Sequence, residues 1–396
     1  MNVYSLEDKQ FPMVATTFQG LEGILAEEVM RLGGIEIREK SRAVTFRGNK
    51  KLLYAANYHL RTALRILRVI AEFQVTDEKI LYNTLYDLPW ETFFTNHQKF
   101  VVDAVIHSPY FKHSHFIEQR VKDAVVDHFR DKTGSRPGVD KESPDIRLNI
   151  QISGKKCVLS MDSSGDSLHK RGYRVRHGLA SLNEVLAAGM IMLSGWQGNM
   201  PFIDPMCGSG TLPIEAAMFA MNIPPGFMRN KYAFIKWKDY DATLYQVIKN
   251  IYTGGRQSSR SLILGCDRSA VAIRLARLNI INAGLEEIVK LKIMPMQHLT
   301  VPPGKPGIIM TDPPFGKRMR PRDMENIYRS IGNVLKNNFP GYDAWILSSN
   351  NHTFKWIGMR PSKQYELNHG GLKVFLKKFH FRERYYPQNT SNRQIK

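Results

Sequence analysis

The chain has 396 residues, of which 43% are hydrophobic, and it carries a formal net charge of +20. This length accommodates two or three domains with cores of their own. Such an excess of basic residues favours a polyanionic partner such as nucleic acid, because bound phosphates release counterions, although a merely soluble basic protein would show it too. A disulfide framework is excluded, since the three cysteines, Cys157, Cys207 and Cys266, are few and far apart.

Neither a membrane nor a metal is expected as a partner. The first residues, MNVYSLEDKQ, lack the basic segment and apolar core of a signal peptide. The most apolar helical stretch, EVLAAGMIMLSGW, is too short and too polar at its flanks to span a bilayer. The histidines at 107, 113 and 115 lack ligand-like partners. We therefore expect a cytoplasmic protein without a metal site.

Residues 1–75 are predicted to form a ferredoxin-like domain, because their pattern follows the βαββαβ order of that fold. The segments are MVATTF, GILAEEVMRLG, IEIREK, AVTFRG, KKLLYAANYHL and RILRVIAEF. Residues 76–165 are predicted to form a second small α/β domain. Its segments are the helices in LYNTLYDLPW and SHFIEQRVKDAVVDHFRDKTG and the strands KFVVDAVIH, IRLNIQIS and KKCVLSMDS. A polar linker, residues 166–180, follows.

From residue 181 to 388, helices alternate with short apolar strands, namely PFIDP, SLILGCD, GIIMTDP and DAWILSS. This alternation predicts an α/β fold with a doubly wound parallel sheet. The segment KQYELNHGGLKVFLKKFHF predicts two strands around NHGG, an antiparallel hairpin that closes the sheet. Residues 389–396 are polar and are expected to form a disordered tail.

Two strand ends in this region carry an acid followed by a turn and a helix. In FIDPMCGSGTLPIEAA, the turn contains Gly208 and Gly210, and the helix begins with free N–H groups. No lysine follows Gly210 and the full G-x-G-x-x-G pattern is missing, so a plain glycine turn stays an alternative to a ligand loop. In SLILGCDRSA, Asp267 ends the second strand, where it can accept both hydroxyls of a ribose or cap the next helix.

A third strand end is TDPPFGKRM, which follows the apolar strand GIIM. Two prolines prevent further ladder hydrogen bonds, so the chain leaves the sheet there in an extended form. Asp312 and Phe315 are then expected at the carboxyl edge of the sheet, where open α/β folds bind ligands. A proline-stiffened turn with Phe315 packed inward is the alternative.

Together, the motifs DPMCGSGTLPIEAA, GCDRSAVAIRLARLNIINAG and TDPPFGKRM resemble the first, second and fourth motifs of class I S-adenosylmethionine-dependent amino-methyltransferases. The segment LHKRGYRVRHGLASLNEVLAAGMI resembles one branch, the THUMP-domain RNA guanine-N2 methyltransferases of the large-subunit ribosomal RNA methyltransferase L type. The resemblance covers nearly the whole chain, because residues 1–165 look like the ferredoxin-like and THUMP RNA-binding module of that branch. It implies S-adenosyl-L-methionine as the cofactor and RNA, ribosomal or transfer, as the partner.

The resemblance also implies roles for the residues at the strand ends, with Asp267 holding the ribose hydroxyls. The acid that the family usually has after the third strand is missing, and Gln297 is the residue that could replace it at the adenine. The residues implied to bind the cofactor are Asp204, Pro205, Cys207, Gly208, Ser209, Gly210, Thr211, Asp267, Arg268 and Gln297. The residues implied to be catalytic are Asp312, Pro313, Pro314 and Phe315.

An exocyclic amine on a nucleobase is a poor nucleophile because its lone pair is delocalised into the ring. Asp312 and the Pro313 carbonyl could each accept one N–H bond and so aim the lone pair at the methyl donor. Phe315 would stack on the base, which contributes about 1–3 kcal/mol. The base must be single-stranded or flipped to reach such a pocket. Neither a metal nor a covalent enzyme intermediate is needed.

Two basic clusters are expected to bind RNA phosphates, although either could be a solvated surface. They are Lys170, Arg171 and Arg174, and Lys317, Arg318 and Arg320. We expect methylation of the N2 amine of a guanine in RNA, with 23S ribosomal RNA as the substrate. The alternatives are the same reaction on transfer RNA, adenine-N6 methylation, because Asp-Pro-Pro-Phe also resembles a motif of DNA adenine methylases, and a non-catalytic RNA-binding assembly factor.

Overall fold

A computed structural model describes residues 1–175, 181–253, 261–314, 321–369 and 371–381, and at 251–253, 321 and 369 it describes the backbone alone. Contacts divide the chain into two compact units. As far as their residues are described, the first contains Met1–Val175, Asn183–Leu193 and Met221–Ser258, and the second contains Arg176–Leu182, Ser194–Ala220 and Ser259–Lys396. The predicted tail, residues 389–396, lies outside the described residues. None of the described helices combines the length and the apolar character that crossing a bilayer requires.

The first unit begins with the predicted ferredoxin-like arrangement. Its elements are β1 (Asn2–Val3), β2 (Phe11–Thr16), α1 (Glu22–Arg31), β3 (Ile35–Lys40), β4 (Ala43–Gly48), α2 (Lys50–His59) and β5 (Arg65–Gln74). Strands β3, β4, β2 and β5 pair antiparallel in that order. Buried and partly buried residues alternate along β2, as expected for a strand with one face on the core. Asn49 caps α2 by accepting a hydrogen bond from Leu52 N.

The predicted second domain continues the same sheet. Its elements are α3 (Glu78–Tyr86), α4 (Trp90–Phe93), β6 (Lys99–His107), α5 (Ser114–Thr133), β7 (Gly138–Val139), β8 (Ile146–Ser153) and β9 (Lys156–Asp162). β9 pairs antiparallel with both β5 and β8, and β6 pairs parallel with β8 and β7. The result is one nine-stranded sheet in the order β3-β4-β2-β5-β9-β8-β6-β7, with β1 paired to β5. Backbone hydrogen bonds therefore continue across the predicted domain boundary at residue 75.

Two segments from beyond the predicted linker also belong to the first unit. They are most of α6 (Glu184–Ser194) and residues 221–258, with a 3-10 turn at Ala233–Lys236 and α8 (Ala242–Thr253). Phe234 stacks on Tyr54 of α2, with ring centres 4.5 Å apart. Both segments fall within the predicted methyltransferase range, residues 181–388, and their contacts nevertheless tie them to the N-terminal unit.

The second unit contains the predicted doubly wound sheet. Its helices and strands are β10 (Phe202–Asp204), α7 (Thr211–Ala220), β11 (Ile263–Asp267), α9 (Ala270–Asn282), β12 (Val289–Ile293), β13 (Ile308–Thr311), α10 (Pro321–Asn338), β14 (Asp343–Ser348), β15 (Lys363–His369) and β16 (Leu372–His380). Two 3-10 segments lie at Met296–His298 and Asn351–Ile357. The strand order is β12-β11-β10-β13-β14-β16-β15, in which the first five strands are parallel and the last two form an antiparallel hairpin. The predicted fold class is confirmed.

This strand order also positions a binding site. The order reverses between β10 and β13, because the chain first adds strands on one side of β10 and then on the other. In open α/β sheets, ligands bind outside the carboxyl ends of the strands at such a switch point. The residues that follow β10, β11 and β13 are therefore the ones to inspect for chemistry.

A buried ion pair lies within the first unit, between β5 and the segment 221–258. Arg68 is fully buried, and burial lowers its pKa. Its guanidinium lies 3.2 Å from Asp239 Oδ2, donates a hydrogen bond to the Ser5 carbonyl at 2.8 Å and lies 3.7 Å from the centre of the Phe11 ring. Lys50 Nζ approaches the same carboxylate at 3.2 Å. Asp239 therefore compensates a buried cation and a half-buried one.

Asp239→Ala should lower the free energy of unfolding by about 3–5 kcal/mol, because it leaves the buried Arg68 charge unpaired. Arg31→Ala, which removes an exposed ion pair with Glu27, should lower it by less than about 1 kcal/mol. Denaturant unfolding of both variants measures the difference. Equal, small losses would show that the Arg68 charge does not depend on Asp239.

Candidate active site

The loop between β10 and α7, residues 205–210, contains two glycines with left-handed backbone conformations. Gly208 has a φ angle of +52° and Gly210 a φ angle of +85°, a region that residues with a Cβ rarely adopt. A Cβ on Gly210 would lie 3.1 Å from the Cβ of Ala276 in α9, so the loop packs closely on that helix. An added Cβ on Gly208 would meet nothing within 4 Å, so the loop faces open space there.

Hydrogen bonds from the next strand and helix hold this loop in place. Cys207 N donates to the Cys266 carbonyl at 2.8 Å, and Gly208 N donates to Asp267 Oδ2 at 3.0 Å. On the other side, the fully buried Asn279 of α9 donates from Nδ2 to the Ser209 carbonyl at 2.9 Å. The loop conformation is therefore set by the end of β11 and by α9.

A cleft of about 240 Å³ opens in front of this loop, at the carboxyl ends of β10 and β13. Predicted cofactor residues, the catalytic candidate Asp312 and several residues that were not predicted share its wall. The lining residues are Ser181, Leu182, Asp204, Met206, Cys207, Gly208, Ser209, Thr211, Leu212, Ala272, Leu275 and Asp312. The cleft lies at the switch point that the strand order defines.

Two carboxylates in the cleft wall are poorly solvated. Asp204 is 2% exposed, and its Oδ1 accepts a hydrogen bond from Met206 N at 3.1 Å. Burial raises its pKa well above the usual range, and the nearby carboxylates of Asp312 and Asp267 raise it further. Burial also raises the pKa of Asp312 to about 7. Its Oδ1 is shielded from solvent and has no hydrogen-bond partner among the described residues.

Asp267 is a third carboxylate, close to Asp204 but outside the cleft lining, and it accepts hydrogen bonds from the backbone. Its two oxygens accept hydrogen bonds from the backbone N–H groups of Gly208 and Ser269, at 3.0 and 2.8 Å. The side chain that caps α9 is Ser269, whose Oγ accepts from Ala272 N at 3.2 Å. A carboxylate can accept about four hydrogen bonds, so Asp267 keeps capacity for the two hydroxyls of a ribose. Capping by its side chain, the alternative considered for Asp267, is not observed.

The other predicted cofactor and catalytic residues that the structure describes, Asp267 among them, are not part of the cleft lining. Pro205 and Gly210 are buried within the loop, and Arg268 is exposed. Gln297 is exposed in the 3-10 segment after β12, where its Nε2 donates to Ser330 Oγ at 2.9 Å. The proposed adenine contact of Gln297 therefore stays a prediction. Pro313 is buried and Pro314 is exposed directly after Asp312, whereas Phe315, Lys317, Arg318 and Arg320 lie outside the described residues.

The first predicted RNA-binding cluster needs correction. Arg171 is 2% exposed, and its guanidinium donates hydrogen bonds to the carbonyls of Leu168 and Arg61 at 2.9 and 2.5 Å. Arg174 is nearly buried too, with Nη2 2.8 Å from the Glu184 carboxylate. Both guanidiniums are bound to groups inside the protein and are not available to phosphates. Lys170 alone of this cluster is exposed.

Residues that the sequence did not single out complete the cleft. Ser181 Oγ lies 3.2 Å from Ser209 Oγ, and Ala272 and Leu275 come from the first turns of α9. Their spacing of three residues places Ala272 and Leu275 on one face of the helix, a signal that was available once Asp267 was identified as the end of β11. Among the described residues, no group of three His, Cys, Asp or Glu side chains could hold a metal ion.

The fold and the cleft together define a class I methyltransferase. A family model described as "RMKL-like, methyltransferase domain" matches residues 171–378. Models described as "THUMP domain" and "RlmL ferredoxin-like domain" match residues 75–162 and 12–67. The chain therefore belongs to the RMKL-like methyltransferase family. The predicted family is confirmed, and with it S-adenosylmethionine as the cofactor.

Three similar proteins extend this comparison. A protein of Synechocystis named "Putative RNA methyltransferase" is 34% identical over 370 residues, which cover 93% of this chain and 96% of that one. "Ribosomal RNA large subunit methyltransferase K/L" of Syntrophotalea carbinolica is 37% identical over 95% of this chain, which spans only 54% of that protein. A solved structure, SMU.472, "a putative methyltransferase complexed with SAH", is 29% identical with a TM-score of 0.86, and the match covers 96% of this chain and all of that one.

Asp267→Ala should weaken cofactor binding by about 1–3 kcal/mol, because it leaves the Gly208 N–H group and the expected ribose hydroxyls without an acceptor. Asp267→Asn keeps one acceptor oxygen and should lose less. Calorimetric titration with S-adenosylmethionine, beside a melting curve for each variant, measures the effect. A folded Asp267→Ala protein with unchanged affinity would contradict this role.

Proposed function

We propose that this protein transfers a methyl group from S-adenosylmethionine to the exocyclic N2 amine of a guanine in 23S ribosomal RNA. The observation that carries the proposal is the Asp312 carboxylate at the edge of the cleft, with an oxygen shielded from solvent and without a partner among the described residues. A buried acceptor left unpaired is costly. A bound exocyclic amine would supply the missing N–H donor.

The RNA part of the proposal rests on the relatives and on charge. The Synechocystis relative is named an RNA methyltransferase, and the Syntrophotalea relative a ribosomal RNA large subunit methyltransferase. A net charge of +20 suits a polyanionic substrate. In this proposal, residues 1–75 and 76–165 are the ferredoxin-like and THUMP domains that bind RNA, residues 166–180 connect them to the catalytic residues 181–388, and 389–396 form a tail. A ribosomal substrate would place the enzyme in the cytoplasm.

The cofactor would be held by the β10–α7 loop and by Asp267. When bound, S-adenosylmethionine supplies an electrophilic methyl group on a positively charged sulfonium. The open space at Gly208 allows a ligand to approach the backbone closely, and Asp267 keeps acceptor capacity for the ribose. Asp204 and Asp312 bring carboxyl groups to the same cleft, and a bound cationic ligand would favour their charged forms.

Asp312 and Pro313 would orient the target amine. The Asp312 carboxylate accepts one N–H bond and the Pro313 carbonyl the other, so the nitrogen lone pair is directed at the methyl group. Methylation leaves an extra proton on the nitrogen, and the Asp312 carboxylate can accept it because its pKa, raised to about 7, is suited to a general base near neutral pH. Phe315 is proposed to stack on the base.

Asp312→Ala should lower the single-turnover rate of RNA methylation by about 100-fold or more, the usual contribution of a positioned general base. Its affinity for S-adenosylmethionine should stay near that of the wild type, because the partner of Asp312 is the amine. Asp312→Asn should keep partial activity, since an amide oxygen still accepts the orienting N–H bond. Rates on 23S ribosomal RNA, with the product nucleoside identified by mass spectrometry, test this.

The opposite outcome has a clear signature. If Asp312 only stabilised a turn, Asp312→Ala would melt at a lower temperature and keep full activity per folded molecule. A methylated product other than N2-methylguanosine would leave the catalytic role of Asp312 intact and overturn the choice of nucleobase.

The methylation rate should also depend on the protonation of Asp312. Burial raises the pKa of this carboxyl, so the protonated form accumulates below about pH 7 and cannot take the proton from the methylated nitrogen. The single-turnover rate should therefore rise with pH to a plateau, with a midpoint at or below about 7, because the bound sulfonium favours the carboxylate. Asp312→Asn should lack this limb of the profile. An identical limb in both proteins would assign the titration to another group.

A further inference from the structure

One face of the C-terminal hairpin combines lysines with aromatic rings. Alternate residues of a strand share a face, so Lys373, Phe375 and Lys377 of β16 point to the same side. Lys373 Nζ lies 5.5 Å from the centre of the Phe375 ring, and Lys377 Nζ lies 4.6 Å from the centre of the Phe354 ring. Lys377 and Phe354 are both largely buried, whereas Phe375 is half-buried and Lys373 is exposed. The face thus offers an accessible ring between two ammonium groups.

The charges on this face are not balanced among the residues that the structure describes. Lys377 is 8% exposed, burial lowers its pKa, and it has no carboxylate partner among the described residues. The one acid that β15 contributes to this face is Glu366, whose Oε1 lies 2.6 Å from Lys373 Nζ. The exposed Lys355 lies in the same 3-10 segment as Phe354. A lysine that is largely buried without a counter-charge is costly, and an anion bound at this face would supply one.

The strand register places this face beside the proposed target site. Thr311, the residue before Asp312, pairs with Ile346 of β14, and Ile346 pairs with Lys377. Neighbouring strands are about 4.8 Å apart, so Lys377 lies roughly 10 Å from Thr311 across the sheet. Phe375 lies two residues further along, opposite Ser348 at the carboxyl end of β14. If the target base binds at Asp312, a separation of roughly 10 Å places the neighbouring nucleotides of the RNA strand at this face.

We infer that Lys373, Phe375 and Lys377 bind the single-stranded RNA next to the target base. The Phe375 ring stacks on a flanking base, and the two ammonium groups bind the phosphates on either side. Stacking on aromatics combined with cations along the backbone is how proteins hold single-stranded nucleic acid. The strand must be unpaired here, because a base that enters the cleft has left its helix. The inference rests on the proposed function and extends it to the RNA-binding surface of the catalytic unit.

The test compares the two faces of the same hairpin. Lys363 is exposed and lies 5.0 Å above the Tyr365 ring, but it pairs with Lys378 and so points to the opposite face. Lys363→Ala is therefore a matched control for Lys373→Ala. The probe is a fluorescein-labelled, unstructured oligoribonucleotide, titrated by anisotropy at several salt concentrations. Methylation of 23S ribosomal RNA by the same full-length proteins gives the functional readout.

Phe375→Leu should weaken oligoribonucleotide binding by about 5- to 150-fold, the effect of losing one stacked base. Lys373→Ala should reduce the slope of log affinity against log salt by about 0.7, the value for one phosphate contact on a single strand. Both variants should raise the KM for 23S ribosomal RNA and leave the affinity for S-adenosylmethionine unchanged. Lys363→Ala should match the wild type in all of these measurements.

Wild-type affinity and salt slope in Lys373→Ala, or equal losses in Lys373→Ala and Lys363→Ala, would overturn the inference. Because Lys373 is exposed, its variant separates RNA binding from folding even if Phe375→Leu lowers the melting temperature. Failure of the proposed function has a different signature. In that case the wild-type protein itself would neither bind nor methylate RNA, and both proposals would fall. If the wild type binds RNA normally and the hairpin variants bind it equally well, only this inference is overturned.

Discussion

The hydrogen bond from the Gly208 N–H group to the Asp267 carboxylate is the interaction on which the catalytic unit depends most. It connects the end of β11 to a loop in which two glycines adopt left-handed conformations. With the Asn279 contact on the other side, it fixes where Asp204 and the start of α7 meet the cleft. The loop is therefore held by the sheet on one side and by α9 on the other.

The three carboxylates around the cleft differ in how fully the protein satisfies them. Asp267 accepts two backbone N–H bonds, Asp204 accepts one from Met206, and Asp312 Oδ1 accepts none among the described residues. A buried acceptor that the protein leaves unpaired is available to a ligand. The series therefore runs from a structural anchor at Asp267 to the proposed substrate-binding group, Asp312. It also implies that ligand binding shifts the protonation of this cleft, since a cationic ligand favours the carboxylate forms.

Much of the fold and of the candidate site could be predicted from the sequence, because the ends of the strands carry short local signals. These signals lie at or directly after the ends of strands. They are the glycines at 208 and 210, the acid at 267 and the prolines after Asp312. The sequence alone leaves open whether the Asp267 side chain caps α9. In the structure, the residue that caps α9 is Ser269. The order of helices and strands in the first unit followed from hydrophobic periodicity, which is also a local property.

The features that could not be predicted from the sequence depend on contacts between residues that are far apart in the chain. Arg171 and Arg174 were expected on the surface because they are charged, yet their partners are the carbonyls of Leu168 and Arg61 and the Glu184 carboxylate. The segment 221–258 lies within the predicted catalytic range, but Phe234 and Asp239 find their partners in the first unit. Ser181 reaches the cleft only because the chain brings it beside Ser209. Separating the chain near residue 165 would therefore cut through packed contacts of the first unit.

We propose that this chain methylates a guanine N2 amine of 23S ribosomal RNA through Asp312. Nucleoside mass spectrometry of 23S ribosomal RNA and transfer RNA, both from a strain without the gene, distinguishes this reaction from its alternatives. One N2-methylguanosine should be lost from 23S ribosomal RNA, and the wild-type gene should restore it whereas the Asp312→Ala gene should not. Unchanged 23S ribosomal RNA, with the methyl group lost from transfer RNA or from the N6 of an adenine, would contradict the claim.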